Sequence, residues 1–85
     1  MWFTYIIYST TIDKYYVGVT ENIEWRLERH NLGWGSFTKR GIPWDLVYYE
    51  TFSSKSEALM REKEIKNKKS RNYIEKLKYA GGRPE

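Results

Sequence analysis

The apolar positions fall into two short runs with strand character, a helical stretch, a third strand-like run and two further helical stretches. "WFTYIIY" (2–8) and "KYYVGV" (14–19) are dense in aromatic and β-branched side chains, which suit a pleated, half-buried surface, and they predict two strands. The polar "STTID" between them reads as a turn, so the pair predicts an antiparallel hairpin. "ENIEWRLERHN" (21–31) takes a helical period, with Thr20 or Asn22 able to cap its start and Gly33 just past its end. "GWGSFTKRGIP" (33–43) has no periodic apolar pattern and is expected at the surface. "WDLVYYETF" (44–52) predicts a third strand, and "SSKSEALMREKEIKNKK" (53–69) a long helix that Ser54 opens, with Glu57 at capping-box spacing. A last helix is expected from Ser70, with Tyr73, Ile74 and Leu77 on one face. The order β-β-α-β-α-α implies an α+β fold, a three-stranded antiparallel sheet flanked by helices. Residues 1–80 are expected to form one domain and 81–85 a flexible tail.

Polar residues interrupt this pattern where alkyl groups belong. On the first helix Ile23, Arg26, Leu27 and His30 share one stripe, and two of the four are polar. On the second helix Ala58, Leu59 and Ile65 define the apolar stripe, and Glu62 falls on it. One reading is an Arg26–Glu62 salt bridge between elements, although such a pair gains little over packed apolar residues. The other is a site, because function is where fold-level rules are broken. Tyr5 shares its strand face with Phe3 and Ile7, and Tyr16 shares its own with Lys14 and Gly18. A glycine inside a strand often marks a place where a ligand nears the backbone.

Composition narrows the chemistry. The 85 residues carry 15 Lys+Arg against 11 Asp+Glu, a net charge of +4, with 18% aromatics, a balance that suits phosphates and stacked bases. Without cysteine and with one histidine, neither a disulfide framework nor a thiolate or imidazole zinc cage is possible, so any metal must be held by oxygen. No run of about 18 apolar residues occurs, and a soluble cytoplasmic protein that binds no membrane is expected.

"FTY" (3–5) and "YVG" (16–18), an arginine eight residues after that glycine, "HN" at 30–31 and "EALMREKEIK" (57–66) beyond a third strand occur here in order. The set resembles the GIY-YIG nuclease superfamily over about residues 2–78, and within it the small single-domain members related to the nuclease module of bacterial UvrC. Phe3 stands where the family's first motif has glycine, and Val19 where some members carry a lysine for which Lys14 or Lys39 could substitute.

The resemblance implies a metal-dependent endonuclease with Tyr5, Tyr16, Arg26, His30 and Glu62 as catalytic residues. Glu62 would hold one Mg²⁺ or Mn²⁺. Arg26 would neutralise the scissile phosphate, and Tyr5, aided by Tyr16, would orient and deprotonate the attacking water. His30 would hold a phosphate oxygen or that water. Tyr5 is expected to titrate below its free value, with Arg26 and a nearby divalent ion outweighing burial. Lys14, Gly18, Lys39, Arg40, Lys68, Lys69 and Arg71 are the expected nucleic-acid contacts, with DNA favoured over RNA, little sequence specificity and a role in DNA repair. A protein partner could supply targeting, and the sequence does not specify the oligomeric state. The competing readings are an inactive nucleic-acid-binding module of the same fold and a protein-interaction domain.

Overall fold

The computed structural model describes residues 1–80, so the expected tail at 81–85 lies outside the described residues. Strands β1 (Trp2–Ser9) and β2 (Lys14–Thr20) form the hairpin, with Asp13 in the left-handed region at φ 54° in its turn. Helix α1 (Ile23–Asn31) follows, then a 3₁₀ turn (Thr38–Gly41), β3 (Trp44–Phe52), α2 (Lys55–Lys68) and α3 (Arg71–Ala80). The sheet is antiparallel throughout, in the order β2-β1-β3. This is the expected α+β architecture, with the caps in their expected places. The Asn22 side chain accepts from the Trp25 amide and the Ser54 side chain from that of Glu57, while Gly33 follows α1 at φ 85°.

The register sorts the side chains into two faces. Tyr5 lies opposite Gly18 and Tyr49, and Ile7 opposite Tyr16 and Leu46. With Trp44 these form one core layer, which α1 covers through Ile23 and Leu27. The alternate residues Ile6, Val17 and Tyr48 form the second layer, which Ile65 of α2 and Tyr73, Ile74 and Leu77 of α3 cover. A bulge between Ile6 and Ile7 makes Val47 the extra residue on β3 and keeps both layers in phase.

Two expectations change here. Leu59, placed on the apolar stripe of α2, is exposed, because the helix rests on the sheet through the more widely spaced Ala58 and Ile65. The segment expected as surface loop sends Thr38 and Gly41 inward, since its short 3₁₀ turn packs beside Trp44 with no amphipathic period.

Candidate active site

The hairpin register puts a tyrosine and a glycine side by side. A Cβ on Gly18 would lie 2.5 Å from Tyr5 Oη, so the space a side chain would take is filled by the phenol. Tyr5 is 2% exposed, and its Oη is 2.9 Å from His30 Nε2, which α1 brings over the same face. His30 is equally buried, and its Nδ1 is 2.9 Å from Thr38 Oγ1. Tyr16, two residues along β2 from Gly18, meets the imidazole edge-on at 5.2 Å and stacks on Phe37 at 6.0 Å.

Arg26, one helical turn before His30, is partly buried in the same cluster. Its effect is electrostatic. Burial first, then the nearby Arg26 charge, push His30 down to about 4, so its ring is neutral near pH 7. Burial pushes the Tyr5 phenol up to about 12, with Tyr16 and Glu62 adding to the rise and Arg26 opposing it. Of the two charges expected to lower Tyr5, the guanidinium alone does not outweigh desolvation in this cluster.

Glu62 comes from the other layer. Its helix packs on the face opposite α1, yet its charge reaches Tyr5, and Lys66, 3.2 Å from Glu62, lies 5.9 Å from the centre of the Tyr16 ring. Its ion-pair partner Lys66 lines the groove along β2, the edge strand, beside Tyr16 and Phe37. No Arg26–Glu62 ion pair occurs among the described residues, since Glu62 pairs with Lys66 one turn on.

The expected nucleic-acid contacts divide. Lys14, Lys69 and Arg71 line an open groove of about 470 Å³ along β2 beside Tyr16, Phe37 and Lys66. Arg71 is already engaged there by Asp13 at 2.7 Å and Glu75 at 3.1 Å. Lys68 lies elsewhere, 5.3 Å from the centre of the Tyr73 ring. Lys39 and Arg40 are exposed on the 3₁₀ turn next to Thr38, and Gly18 is buried against Tyr5.

Sequence reasoning missed Thr38, Phe37 and Lys66. The first two lie in a segment without period, and Lys66 was one cation in a basic run. It also missed Arg29, whose guanidinium lies between the exposed Trp25 and Trp34 rings, 4.7 and 4.4 Å from their centres.

Glu62 is the acidic side chain whose charge acts on Tyr5, and among the described residues no group of three or more His, Asp or Glu able to hold a metal occurs. One partly exposed carboxylate suits a hard cation that keeps most of its waters. No helix among them is long and apolar enough to cross a membrane.

Comparison with known proteins gives a family match over nearly the whole chain. Residues 1–78 match the family model of the GIY-YIG catalytic domain. A UPF0213 protein of Staphylococcus haemolyticus is 56% identical over 52 residues, 60% of this chain and 63% of that protein, so the match spans less than two thirds of the relative's length. A UPF0213 protein of Staphylococcus aureus is 43% identical over 65 residues, 75% of this chain and 78% of its own. The solution NMR structure of the UPF0213 protein BH0048 from Bacillus halodurans superposes with a TM-score of 0.59 at 33% identity, covering 96% of this chain and 87% of that one. The chain belongs to the GIY-YIG family, a family of nucleases whose domain implies nucleic-acid binding.

Proposed function

We propose that this protein is a divalent-metal-dependent endonuclease that hydrolyses phosphodiester bonds, with DNA as its substrate and little sequence preference. The observation that carries the reading is the Tyr5–His30 pair, with Arg26 and Tyr16 around it, next to a lysine-lined groove. Structural demands alone do not account for a buried phenol, a buried imidazole and a guanidinium in one layer of so small a core, because each is costly to desolvate.

The residues divide the labour. Arg26 presents rigid donors to the phosphate, where charge fixed in advance is most effective. Glu62 would hold one Mg²⁺ or Mn²⁺, which would supply positive charge to offset the negative charge that builds on the phosphate oxygens. Tyr5 and Tyr16 orient the attacking water, and His30 keeps the Tyr5 hydroxyl in place. Lys14, Lys66 and Lys69 follow the phosphate chain without reading bases.

The test incubates wild type and Glu62→Gln with flapped, nicked, branched, duplex and single-stranded DNA and RNA in Mg²⁺ and Mn²⁺. Cleavage of at least one DNA by wild type and none by the variant, with both folded and binding equally, is the expected result. Binding without cleavage would leave the inactive-module reading, and neither would leave the protein-interaction reading.

A further inference from the structure

Thr38 is the third member of a buried chain. It is 2% exposed, its Oγ1 is 2.9 Å from His30 Nδ1, and its carbonyl accepts from the indole nitrogen of Trp44 at 2.6 Å, which fixes the residue in place. The neighbouring glycine leaves room for this contact. A Cβ on Gly35 would collide with Thr38 Oγ1 and come within 3.7 Å of His30 Nδ1.

The direction of each hydrogen bond follows from donors and acceptors. His30 Nε2 is the one hydrogen-bond partner of the Tyr5 hydroxyl among the described residues, so the single phenol proton is assigned to it. Nε2 is therefore the bare nitrogen of a neutral ring, and the ring's one proton is on Nδ1. A buried N–H needs an acceptor, and Thr38 Oγ1 is the one in reach.

From this we infer that Thr38 is a positioning residue which fixes the Nδ1–H tautomer of His30, so that Nε2 faces Tyr5 as a proton acceptor. The phenol then points its proton at the ring and its lone pairs away from it. A proton reaching Tyr5 Oη from water is matched by the phenol's own proton leaving for Nε2, so Tyr5 stays neutral and the charge ends on the imidazole, with both ring N–H groups facing oxygens. The other polar and charged groups about the ring are Tyr16 on β2 and Arg26 on α1. The catalytic consequence rests on the nuclease reading above; the tautomer does not.

The test uses Thr38→Val, which keeps the shape and removes the hydroxyl, and Thr38→Ser, which keeps the hydroxyl. Imidazole ¹⁵N shifts of the single histidine, measured near neutral pH, are expected to show Nδ1 protonated and Nε2 bare in wild type and the Ser variant, and a shifted or mixed tautomer in the Val variant. Single-turnover cleavage is expected to fall roughly ten- to hundredfold in the Val variant at unchanged substrate affinity, the usual scale for losing such a partner, and to recover in the Ser variant. An Nε2–H tautomer in wild type, or a Val variant with the wild-type tautomer, would overturn the assignment whether or not the protein cleaves anything. A shifted tautomer with an unchanged cleavage rate would overturn the catalytic part. A wild type that cleaves nothing refutes the nuclease reading instead, and the ¹⁵N shifts still decide the role of Thr38.

Discussion

Gly18 shows how one missing Cβ shapes the cluster. The atoms that an added methyl would meet are Tyr5 Oη at 2.5 Å and Cζ at 2.7 Å, the end of a rigid ring held by His30, so the ring itself must shift. Gly18→Ala is expected to destabilise the fold by about 1–3 kcal/mol, the usual range for overpacking a core, and to break the Tyr5–His30 hydrogen bond. A denaturant midpoint equal to that of wild type would show that the hairpin gives way without cost. His30 makes a prediction about acid. Its folded value of about 4 lies below the unfolded value of about 6.5, so between these the unfolded chain binds more protons, and stability falls as pH drops through that window. The loss is roughly 3 kcal/mol in total, and it is already present above the range of Asp13, which Arg71 and the Tyr8 hydroxyl hold down at about 2. Urea unfolding of wild type and His30→Gln from pH 7 to 4 measures it. Parallel curves for the two proteins would mean that the imidazole is solvated after all.

At the scale of elements, α1 carries both Arg26 and His30 through a nine-residue helix, too short to persist alone. Its first turn depends on the Asn22 side chain, which accepts from the Trp25 amide at 2.9 Å. Asn22→Ala is expected to cost about 1 kcal/mol, which in a domain of this size lowers the melting temperature by roughly 4–8 °C. No change in melting temperature would place the stability of α1 wholly in Ile23, Leu27 and His30. Local signals made such elements legible: aromatic and β-branched runs for the strands, Asn22 and Ser54 for the helix starts, Gly33 for a helix end. The polar stripe on α1 was legible for the same reason, since a period of 3.6 places Arg26 and His30 over one face whatever that face covers. Which layer each helix joins was not legible, because it depends on long-range packing. Hence Glu62 stands on the helix that covers the opposite layer from Arg26 and His30. Thr38 was hidden because a four-residue 3₁₀ turn has no period to betray an inward side chain. The weight of desolvation at Tyr5 was not legible because burial, unlike charge, cannot be counted along a chain.

Over the whole molecule, a net charge of +4 is spread unevenly, and the fold decides which cations are free to meet a phosphate chain. Lys14 and Lys69 line the groove beside Tyr16, and neither takes part in a salt bridge among the described residues. Arg71 lines the same groove but already faces two carboxylates, and Lys68 lies over Tyr73 away from it. Binding by such a surface releases counterions, so affinity should fall steeply with salt, and each phosphate contact removed should flatten the dependence of log K on log salt by about 0.7 to 0.9. Lys14→Gln together with Lys69→Gln should therefore lower the slope by roughly 1.5, while Lys68→Gln leaves it nearly unchanged. The measurement is a fluorescence anisotropy titration of a labelled DNA, without divalent metal so that no cleavage intervenes, across a series of salt concentrations. The Lys68 variant matters most beside Lys69→Gln alone, because each loses one charge from the same basic segment (66–71) and the two differ only in where the fold puts it. Equal losses from Lys68 and from the groove lysines would reduce binding to a matter of net charge. A salt-insensitive affinity would shift the weight to stacking, for which Phe37, exposed beside the groove, offers a ring.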